Sequence, residues 1–169
     1  MSPAFTAHGD GRFTGAGIEA RCALGKGGLI AALDKREGDG ASPIGVWPLR
    51  RVFWRSDRVA RPETRLETVP LRRHDGWCDA PGHPLYNRFV TRPFPASHEQ
   101  LWREDVVYNL IVELGHNDSP PVPGLGSAIF MHLAKPDYTP TEGCVALAED
   151  DLRAVLRAAQ PGDAIAIGS

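Results

Sequence analysis

The sequence predicts a mainly β fold with one C-terminal amphipathic helix and a long loop excursion over residues 72–105. Three observations predict it. The 18 glycines and 15 prolines are spread along the chain as turn formers. Several apolar runs have strand length and strand alternation, and one stretch alone repeats at helical spacing. With 169 residues, 42% of them hydrophobic and 24% charged, the chain is expected to form a single domain, 1–169, around one core.

From the N-terminus, GIEARCAL (17–24) alternates as a strand does, and GKGGL after it turns the chain. KREGDGASPIGVWPLRRVFWR (35–55) joins a polar turn, a Ser-Pro-x-Gly corner at Ser42 and Pro43, and a β-rich run ending in Val52, Phe53 and Trp54. Residues 72–105 are proline-rich, irregular and aromatic, which reads as an ordered excursion off the sheet; long loops in compact domains often carry function. Within it, Ser97 and Gln100 have capping-box spacing, predicting a short helix after Ser97. DVVYNLIVEL (105–114) and SAIFMHL (127–133) read as strands at the centre of the sheet. EDDLRAVLRAAQPGD (149–163) sets Leu152, Val155, Leu156 and Ala159 at i, i+3, i+4 and i+7, with acids in the first turn and Pro161-Gly162 beyond the end. DAIAIG then closes the chain as a strand.

A formal charge of -2 gives no long-range attraction for nucleic acid, and no basic helix reads as a membrane-surface patch. No run is long and apolar enough for a membrane span, and no signal peptide is visible. Small or peptide-like partners and a monomer are expected. The cysteines, Cys22, Cys78 and Cys144, form no CxxC pair and stand beside no histidine at zinc-ligand spacing, so no metal site is expected. Cys22 and Cys78 either pair in an oxidising compartment or stay as buried thiols.

Cys144 follows Gly143 in HLAKPDYTPTEGCVAL (132–147). A thiol near its ordinary pKa is only a few per cent thiolate at neutral pH, so a nucleophilic cysteine needs a basic neighbour. His132, at the end of an apolar strand and followed by a turn-rich loop, is the candidate. Gly143 lets the backbone turn sharply, and its amide with that of Cys144 could face a developing oxyanion. The spacing alone leaves two readings open: a catalytic pair, or a satisfied histidine and a buried thiol.

The order of parts is more specific. A strand ending in His132, a turn-rich loop, Thr-x-Gly-Cys, an acid-rich helix and a Gly-Asp-x-Ile-x-Ile strand resemble the catalytic domain of the L,D-transpeptidases, the YkuD family, and Ser42-Pro43 resembles that family's Thr-Pro-x-Gly corner. The resemblance spans about residues 17–168. It implies a YkuD-like β-sandwich or open barrel sheet, Cys144 as nucleophile, His132 as its activator and Gly143 in the oxyanion loop. It also implies peptidoglycan stem peptides as partners, transfer of a tetrapeptide acyl group to an amine with release of D-alanine, no cofactor, and a periplasmic or envelope location. Water in place of the amine would make a carboxypeptidase or amidase, and a non-catalytic wall-binding module is the alternative from another class. The chain departs from the family in a short His-to-Cys loop, in Glu142 where a second histidine is common, and in Ala146 where arginine or asparagine is common. Replacement substrate contacts are expected from Arg73, His98 and Trp102 in the excursion and from Tyr108, Asn117 and Ser127 near the strand ends.

Overall fold

The computed structural model describes residues 2–168. Its strands are β1 (Phe5–Ala7), β2 (Arg12–Gly15), β3 (Ile18–Ala23), β4 (Leu29–Ala31), β5 (Ser42–Trp54), β6 (Thr68–Pro70), β7 (Asp75–Cys78), β8 (Phe89–Thr91), β9 (His98–Gln100), β10 (Leu110–Leu114), β11 (Phe130–Leu133), β12 (Val145–Leu147) and β13 (Ala164–Ile167). One α-helix, α1 (Glu149–Ala158), lies between the last two strands. The main sheet runs β10-β11-β12-β3-β2-β1-β13-β5, and β5 also pairs with β10, so the sheet closes on itself. The length of β5 makes closure possible: Gly45–Pro48 pair with β13 and Leu49–Trp54 with β10. Closure removes the open edges that a flat sheet would expose. Parallel β4 and β6 attach to β5 outside the ring.

Strand alternation divides the apolar residues between two cores. Val52, Val112, Met131, Leu133, Val145 and Leu147 point into the ring with Phe5, Phe13 and Ile165, and α1 adds its buried stripe of Leu152, Val155 and Leu156. The next residues along the same strands, Phe53, Ile111 and Phe130, point outward into a second core with Cys144, Trp77, Leu101 and Tyr108. That second core is roofed by residues of the excursion, whose strands form a separate sheet in the order β8-β7-β9.

Three sequence expectations change. No helix follows Ser97: its hydroxyl bonds Asp79 Oδ1 at 2.6 Å, and His98–Gln100 pair with β7. One isolated helical turn fixes many dihedrals for few bonds, so a strand partner outcompetes it. The strand expected from residue 105 begins at Leu110, because Asn109 N–H turns back to Val106 O and Asp105 O is taken by Arg58. The strand expected from residue 127 begins at Phe130, because Ala128 has φ 55° and its N–H is claimed by the Asn87 side chain. Cys22 and Cys78 are buried free thiols, Cys22 within the inner core.

Removing the centre of the helix stripe tests the inner core. Leu152→Ala should destabilise the fold by about 2–5 kcal/mol, read as a lower urea midpoint at unchanged slope.

Candidate active site

Two adjacent parallel strands bring His132 and Cys144 to one face. In the register of β11 and β12, His132 lies opposite Ala146, and Cys144 is two residues upstream of Ala146. Residues two apart share a face, so His132, Cys144 and Ala146 all point outward, under the excursion. Two residues along and one strand across separates their Cα atoms by roughly 8 Å, which two facing side chains can span. Both line a cavity of about 630 Å³, together with Ala146, Tyr108, Ser127, His98, Glu99, Arg103, Lys35 and Glu37.

The sulfur is held by backbone. Cys144 Sγ donates to Ala128 O at 3.2 Å and accepts from Phe130 N–H at 3.4 Å. Among the described residues no hydrogen bond joins Sγ to the His132 ring. His132 Nδ1–H donates to Leu133 O at 3.0 Å, which assigns the bare lone pair to Nε2. The ring packs edge-on against Tyr108, with centroids 5.3 Å apart.

Electrostatics keep this pair neutral. Burial pulls His132 down to about 4. Burial, with a smaller contribution from the nearby Glu99 charge, pushes the Cys144 thiol up to about 12. At neutral pH the pair rests as thiol and imidazole rather than as a ready-made thiolate.

The turn before Cys144 is rigid. Gly143 has φ 138°, and a Cβ there would come within 2.8 Å of Ala41 O, so only glycine fits. Gly143 O accepts from Ser42 Oγ at 2.8 Å, which gives the Ser-Pro corner its job of anchoring the cysteine loop. Thr141 Oγ1 accepts from Gly143 N–H at 3.0 Å and donates to Cys144 O at 2.7 Å. The Gly143 N–H, expected to face an oxyanion, is bonded to Thr141 Oγ1 in this structure.

Asn87 joins the excursion to the site. Its Oδ1 accepts from Trp77 Nε1 at 2.9 Å and from Ala128 N–H at 3.1 Å, and its Nδ2 donates to His116 O and Asn117 O. Both lone pairs and both amide protons of its side chain are used. Ala128, so fixed, offers the carbonyl that receives the thiol. Glu37, reaching in from the polar turn, accepts from Tyr86 OH at 2.7 Å and Ser127 Oγ at 2.6 Å.

His98, Tyr108 and Ser127 thus stand at the cavity, whereas Arg73, Trp102 and Asn117 are not among its lining residues. The Arg55 guanidinium stacks on Trp102 at 3.6 Å, with Arg73 at 5.9 Å from the same ring. Asn117 staples its own loop, accepting from Val122 N–H and donating to Gly126 O. Sequence reasoning missed Lys35, Glu37, Glu99 and Arg103. Lys35 and Glu37 lie in a polar turn far along the chain from residue 127, with no local pattern to mark them; Glu99 was hidden inside the segment read as a helix.

Two outcomes follow from this geometry. Alkylation of Cys144 by iodoacetamide, followed by intact mass, should accelerate steadily as pH rises through the alkaline range, because burial favours the neutral thiol; a plateau near pH 6 would instead mark a preformed ion pair. Asn87→Ala orphans the buried donors of Trp77 and Ala128 and should cost about 2–4 kcal/mol, with faster amide exchange at Ala128.

A family model described as the L,D-transpeptidase catalytic domain, YkuD, matches residues 9–167. No curated protein matches the chain. Among solved structures, the crystal structure of Mycobacterium tuberculosis L,D-transpeptidase 1 is 15% identical with a TM-score of 0.45, and the match covers 99% of this chain and 60% of that one. This chain thus matches less than two thirds of that protein. On the family match, which takes in nearly all of the sequence, the chain belongs to the L,D-transpeptidase catalytic-domain family.

Proposed function

We propose that the protein is a cysteine acyltransferase acting on peptidoglycan stem peptides in the cell envelope, with Cys144 as nucleophile and His132 as general acid and base. The observation that carries this reading is that Cys144 and the tautomer-fixed ring of His132 open into one cavity from adjacent strands. Together with membership in the family, it favours catalysis over a binding module, for which a buried thiol and imidazole facing a shared cavity have no use.

Substrate entry starts the reaction. The thiol swings from Ala128 O toward Nε2 of His132, which takes its proton as sulfur attacks the peptide carbonyl carbon of the donor tetrapeptide. Proton transfer concerted with attack avoids the buried ion pair that both pKa shifts disfavour. His132 then protonates the leaving D-alanine nitrogen, the C–N bond breaks, and the stem remains as a thioester on Cys144. An amine acceptor attacks this carbonyl, His132 takes a proton from its nitrogen, the C–S bond breaks with its electrons going to sulfur, and His132 returns the proton to restore the thiol. The Phe130 N–H is available to steady the charge on sulfur at both stages, since its hydrogen bond favours the thiolate.

Mass spectrometry of products from purified disaccharide tetrapeptide tests this. The wild type should release D-alanine. Cys144→Ala should lose turnover by at least about 10³-fold, while Cys22→Ala and Cys78→Ala keep it. An active Cys144→Ala protein would overturn the assignment.

A further inference from the structure

Resting on the acyl-transfer reading above, we propose that Glu99 binds the acceptor as its ammonium ion and removes the first proton, so that amines outcompete water for the thioester. Glu99 lines the same cavity as Cys144 and His132. Tyr108 connects them: its hydroxyl donates to Glu99 Oε1, and its ring packs against His132. The carboxylate is therefore fixed one residue away from the general base.

Two further observations bear on Glu99. First, several of the other charges at the cavity are already ion-paired. Glu142 pairs with Lys26 at 2.9 Å, Lys35 with Asp39, and Arg103 with Asp105 at 2.5 Å. Among the described residues Glu99 forms no ion pair and its Oε2 has no hydrogen-bond partner; Glu37 and Asp79 also lack ion pairs, but of the three only Glu99 is bonded to Tyr108, the residue packed on His132. Second, burial raises its pKa, so it is a stronger base than an exposed carboxylate.

Proton counting gives the reason such a group is useful. A primary amine is an ammonium ion at neutral pH and must lose two protons to become an amide, whereas water needs to lose one to form the acid. Glu99 takes the first proton, leaving R–NH2 in the cavity. The nitrogen lone pair attacks the thioester carbonyl carbon, and His132 Nε2 takes the second proton from the tetrahedral nitrogen. The C–S bond then breaks, sulfur leaves with the electron pair, and His132 returns that proton to it. The products are the amide, the Cys144 thiol and protonated Glu99, which releases its proton to solvent. Hydrolysis proceeds through His132 alone.

The test is a partition measurement. The enzyme is acylated with disaccharide tetrapeptide in the presence of D-methionine, and amide and free-acid products are counted by mass spectrometry, with acyl-enzyme formation followed by intact mass. Glu99→Gln, close in shape, should lower the amide-to-acid ratio at least about tenfold, leaving acylation within about threefold of wild type. Glu99→Asp, which keeps the charge, should recover part of the ratio. An unchanged ratio in Glu99→Gln, or equal loss of both products, overturns the proposal while the acyl-transfer reading stands. Absence of any acyl-enzyme in the wild type removes that reading and this proposal with it.

Discussion

The parallel pairing of β11 with β12 is the constraint on which the site depends. In the register that sets His132 opposite Ala146, alternation turns His132 and Cys144 to the same outer face. A slip of one residue would send one of the two into the ring, among Met131 and Leu147. Register is held from both faces: Met131, Leu133, Val145 and Leu147 need the inner core, and Phe130 needs the outer one. The apolar packing that stabilises the barrel thereby also aims its polar pair.

The excursion completes what the barrel cannot. A thiol on an open sheet face would be wet and near its ordinary acidity. Roofed by residues of the excursion, it is pushed up and the imidazole pulled down, so neither ionises before substrate arrives. The cost of that arrangement falls on the excursion, which must hold Ala128 in a left-handed conformation at φ 55°. Asn87 supplies the compensation through its bond to the Ala128 N–H. Strain at this position is thus tied directly to the direction in which the Cys144 thiol points.

Much of this was legible in the sequence where local pattern and tertiary demand agree. The α1 stripe and β13 show their periodicity plainly, and the order His132, Gly143, Cys144 carried the family resemblance. Gly143 was readable as a necessary glycine, whereas the bond from its amide to Thr141 Oγ1 was not, because it depends on how the turn folds. The capping signal at Ser97 misled because its hydroxyl found Asp79 instead. Closure of the barrel was not legible either, since it depends on β5 serving two partners along its length. Arg73 and Trp102 looked like ligand-binding types, and in the fold they and Arg55 stack on one another instead.

The departures at Glu142 and Ala146 fit together with the excursion. Glu142 is tied to Lys26 on the neighbouring turn, so the position where the family often has a second histidine here serves to clip the loop. Ala146 is small and fully buried at the cavity, directly across from His132. An arginine there would need space beneath the ring and would bring a permanent positive charge against the neutral imidazole of His132. With alanine, the polar groups come from elsewhere: Glu99, His98 and Arg103 from the excursion, and Lys35 and Glu37 from the turn before β5. In the proposed reaction, recognition falls to the surrounding loops, while Cys144 and His132 stay on the barrel strands. That division would let acceptor choice change through the loops without disturbing the register that makes Cys144 and His132 neighbours.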